Sequence, residues 1–420
     1  MEKDRIYQWI DENEKRIVSF LRKTVQEKSV YQEEASAQAV VLEKCRELGL
    51  VIDLWEPDIQ ELKAHPEFVS TRTSFKESPN LVAVMKGSGG GKSIILNGHI
   101  DVVPEGELKQ WEQDPYLGYV LDGKLYGRGA TDMKGGNVAL LFAMEALKAN
   151  QVKLKGDVIF QSVVDEECGG AGTLAATLKG YKADAALIPE PTDMKIFVKQ
   201  QGSMWFRLSI KGRSAHGGTR YEGVSAIEKA MAVLSHIHQL EKVRNERIND
   251  PLYKDVPIPV PINIGKIQGG NWPSSVPDIV FLEGRIGIAP NEKKEDVQRE
   301  FEQFLKNIKE KDDWFYKNPV HIEWFGARWL PNELSMDHPF FQALKRSFID
   351  VLEQNPIVEA SPWGTDGGIL SHIGNIPTIV FGPGQTELAH YPNESIDIEK
   401  VVKTTKIITS LLMDWCECER

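Results

Sequence analysis

Four times along this chain an apolar run of strand length breaks off into a polar, mostly glycine-bearing loop that carries carboxylates or histidine. This repetition restricts the fold more than any other feature. IILNGHIDVVP sets His99 and Asp101 after the run Ile94–Leu96, and LYGRGATDMKGG sets Asp132 just before a helical stretch. VIFQSVVDEECGG brings Asp165, Glu166 and Glu167, and AALIPEPT brings Glu190. Strands that alternate with helices build an α/β layer on a largely parallel sheet. In such open sheets ligands bind beyond the carboxyl ends of the strands. Carboxylates and imidazole gathered there have the donor chemistry of a metal site with N and O ligands. Each loop alone is ordinary, since Asp before a helix commonly caps it and a run of acids is commonly solvated. Their recurrence at strand ends carries the reading.

Helical spacing of Ile6, Trp9, Ile10, Ile17, Phe20 and Leu21 predicts one helix from Ile6 to about Glu27. A second is predicted over Glu34–Leu48 with Gly49 as its stop, and a third over Asn137–Ala149. After Gly202 the texture changes. A strand at MWFRLSIKG, a helix from Ser225 to about Leu240 and strands at Pro261–Ile267 and Ile279–Ile288 come first. A charged helix from Lys293 to about Lys309 and the strand VHIEWFG complete the order βαββαβ, a ferredoxin-like sandwich that can form its own domain. A chain of 420 residues is expected to hold two domains. The expected organisation is a discontinuous α/β domain, 1–202 and 329–420, with a mostly parallel sheet flanked by helices and residues 203–328 inserted as the second domain.

Several function classes are excluded at this level. The net charge of −11 and the absence of any Lys/Arg-rich block argue against nucleic-acid binding. The opening MEKDRIYQWIDENEKRIVSF does not read as a signal peptide, and no apolar run approaches the roughly 20 residues of a membrane span. Four cysteines (Cys45, Cys168, Cys416 and Cys418) are too few for a disulfide framework, and the lone C-x-C pair is a weak metal signal. A cytoplasmic protein is expected. GSGGGKS imitates a phosphate-binding loop, but Lys86 holds the place of its first glycine and a strand-like IILNGHID follows where a helix is required. It is read as a flexible hairpin loop.

The runs G-H-x-D-V-V-P (Gly98 to Pro104), G-R-G-A-x-D-M-K-G-G (Gly127 to Gly136), D-E-E-x-G-G (Asp165 to Gly170) and E-P-T (Glu190 to Thr192) resemble the dinuclear zinc aminoacylases and peptidases. That family includes acetylornithine deacetylase, succinyl-diaminopimelate desuccinylase and the glutamate carboxypeptidases. The inserted βαββαβ segment and His390 in AHYPNES extend the likeness along nearly the whole chain. The resemblance implies two Zn2+ ions, with Co2+ or Mn2+ also suited to such ligands. His99 and Glu190 would bind one ion, Glu167 and His390 the other, and Asp132 would bridge them. Asp101 would accept the second ring N–H of His99 and fix its tautomer, and Glu166 would be the general base. In the inserted domain, a lid and dimerisation domain by resemblance, His216 would stabilise the oxyanion and Arg285 would bind a substrate carboxylate. Many relatives carry Asn in an N-x-[IV]-P run; here the run reads S-S-V-P, so Ser274 takes that place, with Asn271 three residues earlier as the other substrate-binding candidate.

The expected activity is hydrolysis of a linear amide by activated water, on a small N-acyl amino acid of the acetylornithine type or on a dipeptide. Removal of an N-formyl or other N-acyl group from a different amine, and dipeptidase or carboxypeptidase action, share the same chemistry. A homodimer is implied by resemblance. From other classes, an inert metal- or ligand-binding protein would have lost Glu166 or a ligand, and all are retained. A nucleotide-binding protein fails on the context of GSGGGKS.

Overall fold

The computed structural model describes residues 2–419. They divide into two compact units. Unit 1 comprises residues 1–199, 332–359 and 366–420, and unit 2 comprises residues 200–331 with 360–365.

Unit 1 is built on a large sheet. Along it lie Val51–Trp55, Asn80–Met85, Val158–Val163, Ile94–His99, Ala186–Ile188, Thr378–Val380, Ile196–Gln200 and Asn332–Glu333. The central strands Val158–Val163, Ile94–His99, Ala186–Ile188 and Thr378–Val380 run parallel, and the strands outside them pair antiparallel where Asn80–Met85 meets Val158–Val163 and Thr378–Val380 meets Ile196–Gln200. Because the central strands are parallel, their carboxyl ends open on one edge, and the loops bearing His99, Asp165–Glu167 and Glu190 leave from it; the Asp132 loop instead follows Lys124–Tyr126, a strand of a separate three-stranded antiparallel sheet. The helix Ile398–Trp415 packs against both Gly135–Ala149 and Pro339–Leu352. Nearly every residue of Gly135–Ala149 is buried, so this helix reads as apolar all round rather than as a surface helix.

Two expectations need correction here. The N-terminal helix is two helices, Glu2–Glu12 and Glu14–Gln26. The break falls at Asn13, whose side-chain amide donates to the Trp9 carbonyl at 2.7 Å, a local bond that competes with the helical ladder. GSGGGKS is not a hairpin, because Val158–Val163 lies between the two strands it joins. The loop is tied down instead: Ser88 and Gly89 donate to the carbonyls of Leu154 and Lys155, and the Gly87 N–H donates to Asp157 at 2.9 Å.

Unit 2 has the strand–helix–strand–strand–helix–strand order expected for the inserted segment. Its antiparallel sheet runs Ile262–Gly269, Ile279–Ile288, Gly202–Lys211, His321–Trp329. The helices Ala226–Glu246 and Lys294–Lys306 close one core with it, around Phe206, Leu208, Val233, Ile237, Leu282 and Phe301. Ser225 starts the first of these helices by accepting the Glu228 N–H. Among the described residues no helix is long and apolar enough to cross a membrane.

Candidate metal centre

His99 ends the strand Ile94–His99 and is buried. Its Nε2 lies 3.1 Å from Asp132 Oδ1 and 3.7 Å from Glu190 Oε1. On the other side, His390 Nε2 lies 3.2 Å from Asp132 Oδ2 and 3.3 Å from Glu167 Oε1. The two oxygens of Asp132 therefore face two different imidazoles, each of which has its own second carboxylate. Asp132 does not cap the helix behind it, where no side-chain cap is made. Ligand atoms of His99, Asp132 and Glu167 lie within 4.8 Å of one another, as do those of His99, Glu166 and Glu190. Glu166, assigned from the sequence as a base that does not bind metal, thus also has a carboxylate oxygen within reach of this cluster.

The electrostatics match a site built for cations. Burial and the acids around it push Glu190 up to about 8. The Glu167 carboxylate, working against burial, raises His390 to about 11. Burial opposes a charge on His99, yet Glu190, Asp132 and Asp101 together raise its pKa well above the usual range. Acids that resist ionising beside imidazoles that hold protons form a donor set short of positive charge, which two divalent ions held by N and O ligands would supply. The donor set fits such ions: His99, Asp132, Glu167, Glu190 and His390 would hold them.

Asp101 acts differently from expectation. His99 Nδ1 lies 2.8 Å from the Asp101 main-chain carbonyl, which accepts the ring N–H, and 3.8 Å from its carboxylate Oδ1. The carboxylate accepts the N–H groups of Glu166 and Glu167 at 3.3 and 3.1 Å. The physical reason is reach: the backbone turn after His99 already presents a carbonyl to the ring, which frees the side chain for the neighbouring loop. In that loop the first acid of the triplet is structural. Asp165 is buried and accepts from Arg72 Nε at 2.5 Å, while Arg72 also donates to Glu34 and to Ser78.

The sequence reading missed Arg72, Asp366 and Glu394. Asp366 is buried, with Oδ2 accepting from Thr173 at 2.6 Å. Glu394 is buried beside Arg128 and accepts the Thr131 N–H at 2.9 Å and the Asp132 N–H at 3.2 Å. Only Glu394 lies within a motif-bearing run, AHYPNES; Arg72 and Asp366 stand in runs, STRTSF and SPWGTDGG, that carry no such signal.

The remaining candidates belong to unit 2 and form two groups. His216 pairs with Ser275, and the Gly217 N–H donates to the Ser274 carbonyl at 2.7 Å. His216 Nδ1 accepts the Gly218 N–H at 3.1 Å, which leaves the ring proton on Nε2. Asn271 is exposed in the same loop. Arg285 is elsewhere, paired with Trp205 and Asn263. It lies six residues along the strand from Ile279, roughly 20 Å at strand rise. The substrate candidates are thus not one cluster: His216 and Ser275 pair in a separate two-stranded ribbon before Ile279, and Arg285 stands well along the strand that follows. Burial pushes the Arg285 guanidinium down to about 10. Its Nε and Nη2 groups are buried without a hydrogen-bond partner. The residue lines a cavity of about 290 Å3 with Trp205, Asn263, Glu283 and Phe325.

Comparison with known proteins places this arrangement. A profile of peptidase family M20/M25/M40 matches residues 95–414. An N-formyl-4-amino-5-aminomethyl-2-methylpyrimidine deformylase of Halalkalibacterium halodurans is 32% identical over 405 residues, covering 92% of this chain and 90% of that protein. An acetylornithine deacetylase of Edwardsiella ictaluri is 28% identical over 353 residues, covering 83% and 85%. The solved structure of the dipeptidase Dug1p from Saccharomyces cerevisiae superposes with a TM-score of 0.78 at 16% identity, covering 100% of this chain and 99% of that one, a likeness of fold. The chain belongs to peptidase family M20/M25/M40 and is a metallohydrolase acting on amide bonds.

Proposed function

We propose that this enzyme uses two divalent ions, zinc or in its place cobalt or manganese, to remove a small acyl group from an amine. The observation that carries the two-ion reading is the split of Asp132, one oxygen toward His99 and the other toward His390. Bound ions would polarise the amide carbonyl and acidify the attacking water. Glu166, whose backbone N–H is fixed by Asp101, takes the proton from that water and returns it to the leaving nitrogen, a contribution of typically 10²–10⁴-fold. His216 is the proposed oxyanion donor, and its Nε2–H tautomer suits that role.

For the substrate, the 32% identity to the deformylase over 92% of the chain favours an N-formyl group on an aminopyrimidine-type amine. A second reading, an N-acyl amino acid of the acetylornithine kind, is favoured by Arg285, whose unpaired Nε and Nη2 form one edge suited to a carboxylate. Asn271 and Ser274 are proposed to contact the substrate near His216. A homodimer through unit 2 is part of the proposal and is supported by its edge strand Ile262–Gly269 and by exposed Ile227, Met231 and Ile267. The test is amine release from N-formyl and N-acetyl panels, for wild type and Glu166→Gln, each with metal added and with chelator. Chelator-sensitive turnover that Glu166→Gln loses while keeping both metals supports the reading. Normal turnover by Glu166→Gln, or its loss of both metals, would overturn the role of Glu166.

A further inference from the structure

One buried carboxylate reaches both sides of the metal centre. Glu394 Oε1 accepts the N–H groups of Thr131 and Asp132, so it fixes the backbone that presents the bridging acid. Its Oε2 accepts from Arg128 Nη1 at 2.6 Å. Arg128 then extends the contact to the other ligand loop: Nη1 reaches the Tyr391 carbonyl and Nη2 the His390 carbonyl, each at 3.5 Å, and Nη2 also reaches the Pro104 carbonyl at 3.3 Å. The His390 loop needs such a hold. His390 and Asn393 both sit in the left-handed region, with φ of 65° and 59°, and the His390 side chain is 52% exposed. Its imidazole is therefore placed by its backbone rather than by packing. The Arg128 guanidinium is itself held, with its carbon 5.3 Å from the Trp111 ring centroid.

We propose that Glu394, acting through Arg128, is the positioning residue that sets His390 against Asp132, and so controls the affinity of one metal position of the pair, the one served by Glu167 and His390. It rests on the two-metal reading above. The other position, at His99 and Glu190, shares Asp132, whose backbone N–H keeps an acceptor in Glu394→Gln, and draws the rest of its geometry from the strand ends and from the Asp101 carbonyl. The two positions are therefore expected to respond differently to one change. Glu394→Gln keeps an acceptor for the backbone N–H groups but removes the charge facing Arg128.

The experiment titrates the metal-free full-length protein with Co2+, following heat and the visible absorption of the bound ion. Wild type is expected to take two ions. In Glu394→Gln the first is expected to bind as in wild type and the second about 10–100-fold more weakly, the usual size for loss of a partner behind a ligand. Equal weakening of both ions, or two ions bound as in wild type, would overturn the inference. A wild-type chain that takes fewer than two ions overturns the two-metal reading and this inference with it. If Glu394→Gln does not fold, Arg128→Lys, which keeps the charge but loses the fork, is expected to show the same split.

Discussion

Asp101 illustrates what a single residue does when its backbone and side chain serve different neighbours. The main-chain carbonyl takes the His99 ring proton, and the carboxylate holds the N–H groups of Glu166 and Glu167. Asp101→Asn should therefore spare metal binding at His99 and damage the placement of Glu166. Asn offers one oxygen to two N–H groups and turns an amide donor toward the other, leaving a buried N–H without a partner at a cost of about 1–3 kcal/mol. The expected result is a protein that retains its metals but turns over about tenfold or more slowly. Metal analysis beside kcat decides it: parallel loss of metal and activity would mean that the carboxylate, not the carbonyl, serves His99. The acids of D-E-E were legible in the sequence as a group at a strand end, but their division of labour was not. Asp165, unlike Glu166, faces Arg72, an arginine from a loop run, STRTSF, that in sequence looks solvated. Burial of a charge leaves no local mark on composition, so Arg72, Asp366 and Glu394 could not be picked out before the fold was known.

At the scale of elements, the loops were legible because each follows an apolar run, whereas pairing and breaks were not. Nothing near Met85 or Ile94 announces that a strand some sixty residues later, Val158–Val163, will lie between them. The same long-range closeness makes Gly136 informative. It opens the helix Gly135–Ala149, and a Cβ there would lie 2.1 Å from the Pro189 carbonyl oxygen, directly before Glu190. Alanine would favour the helix by about 1 kcal/mol over glycine. Overpacking against fixed backbone costs typically about 1–3 kcal/mol, so the clash is expected to win. Gly136→Ala should lower the melting temperature and weaken metal retention together, because the strand end that carries Glu190 must move. A variant with raised stability and unchanged metal affinity would show that the helix start yields instead. A similar constraint holds Gly170, at φ 78°, against Asp366 and Ile369.

For the whole molecule, every proposed metal ligand belongs to unit 1, while unit 2 has a core of its own. The two should respond to different variables. A metal present at 1,000 times its dissociation constant stabilises the folded form by about 4.1 kcal/mol, so chelator should lower the melting transition of unit 1. Unit 2 carries a separate switch at His236. Its Nε2–H donates to the Phe304 carbonyl at 2.6 Å, its ring stacks on Phe304, and Lys311 stands 3.3 Å from Nδ1. Burial, aided by Lys311, lowers its pKa below the usual value. The unfolded chain therefore binds a proton near pH 6.5 and below that the folded unit resists, and stability rises with pH wherever the unfolded state binds more protons. Stability of unit 2 is full above about pH 6.5 and is lost as the pH falls below it. Calorimetry of wild type and His236→Gln at pH 7.5 and 5.5, with and without chelator, separates the two effects. Acid should lower the unit 2 transition in wild type and lower it less in His236→Gln, and chelator should move only the unit 1 transition. One transition that chelator and acid shift alike would mean that the units unfold as one body, with the metal centre stabilising both.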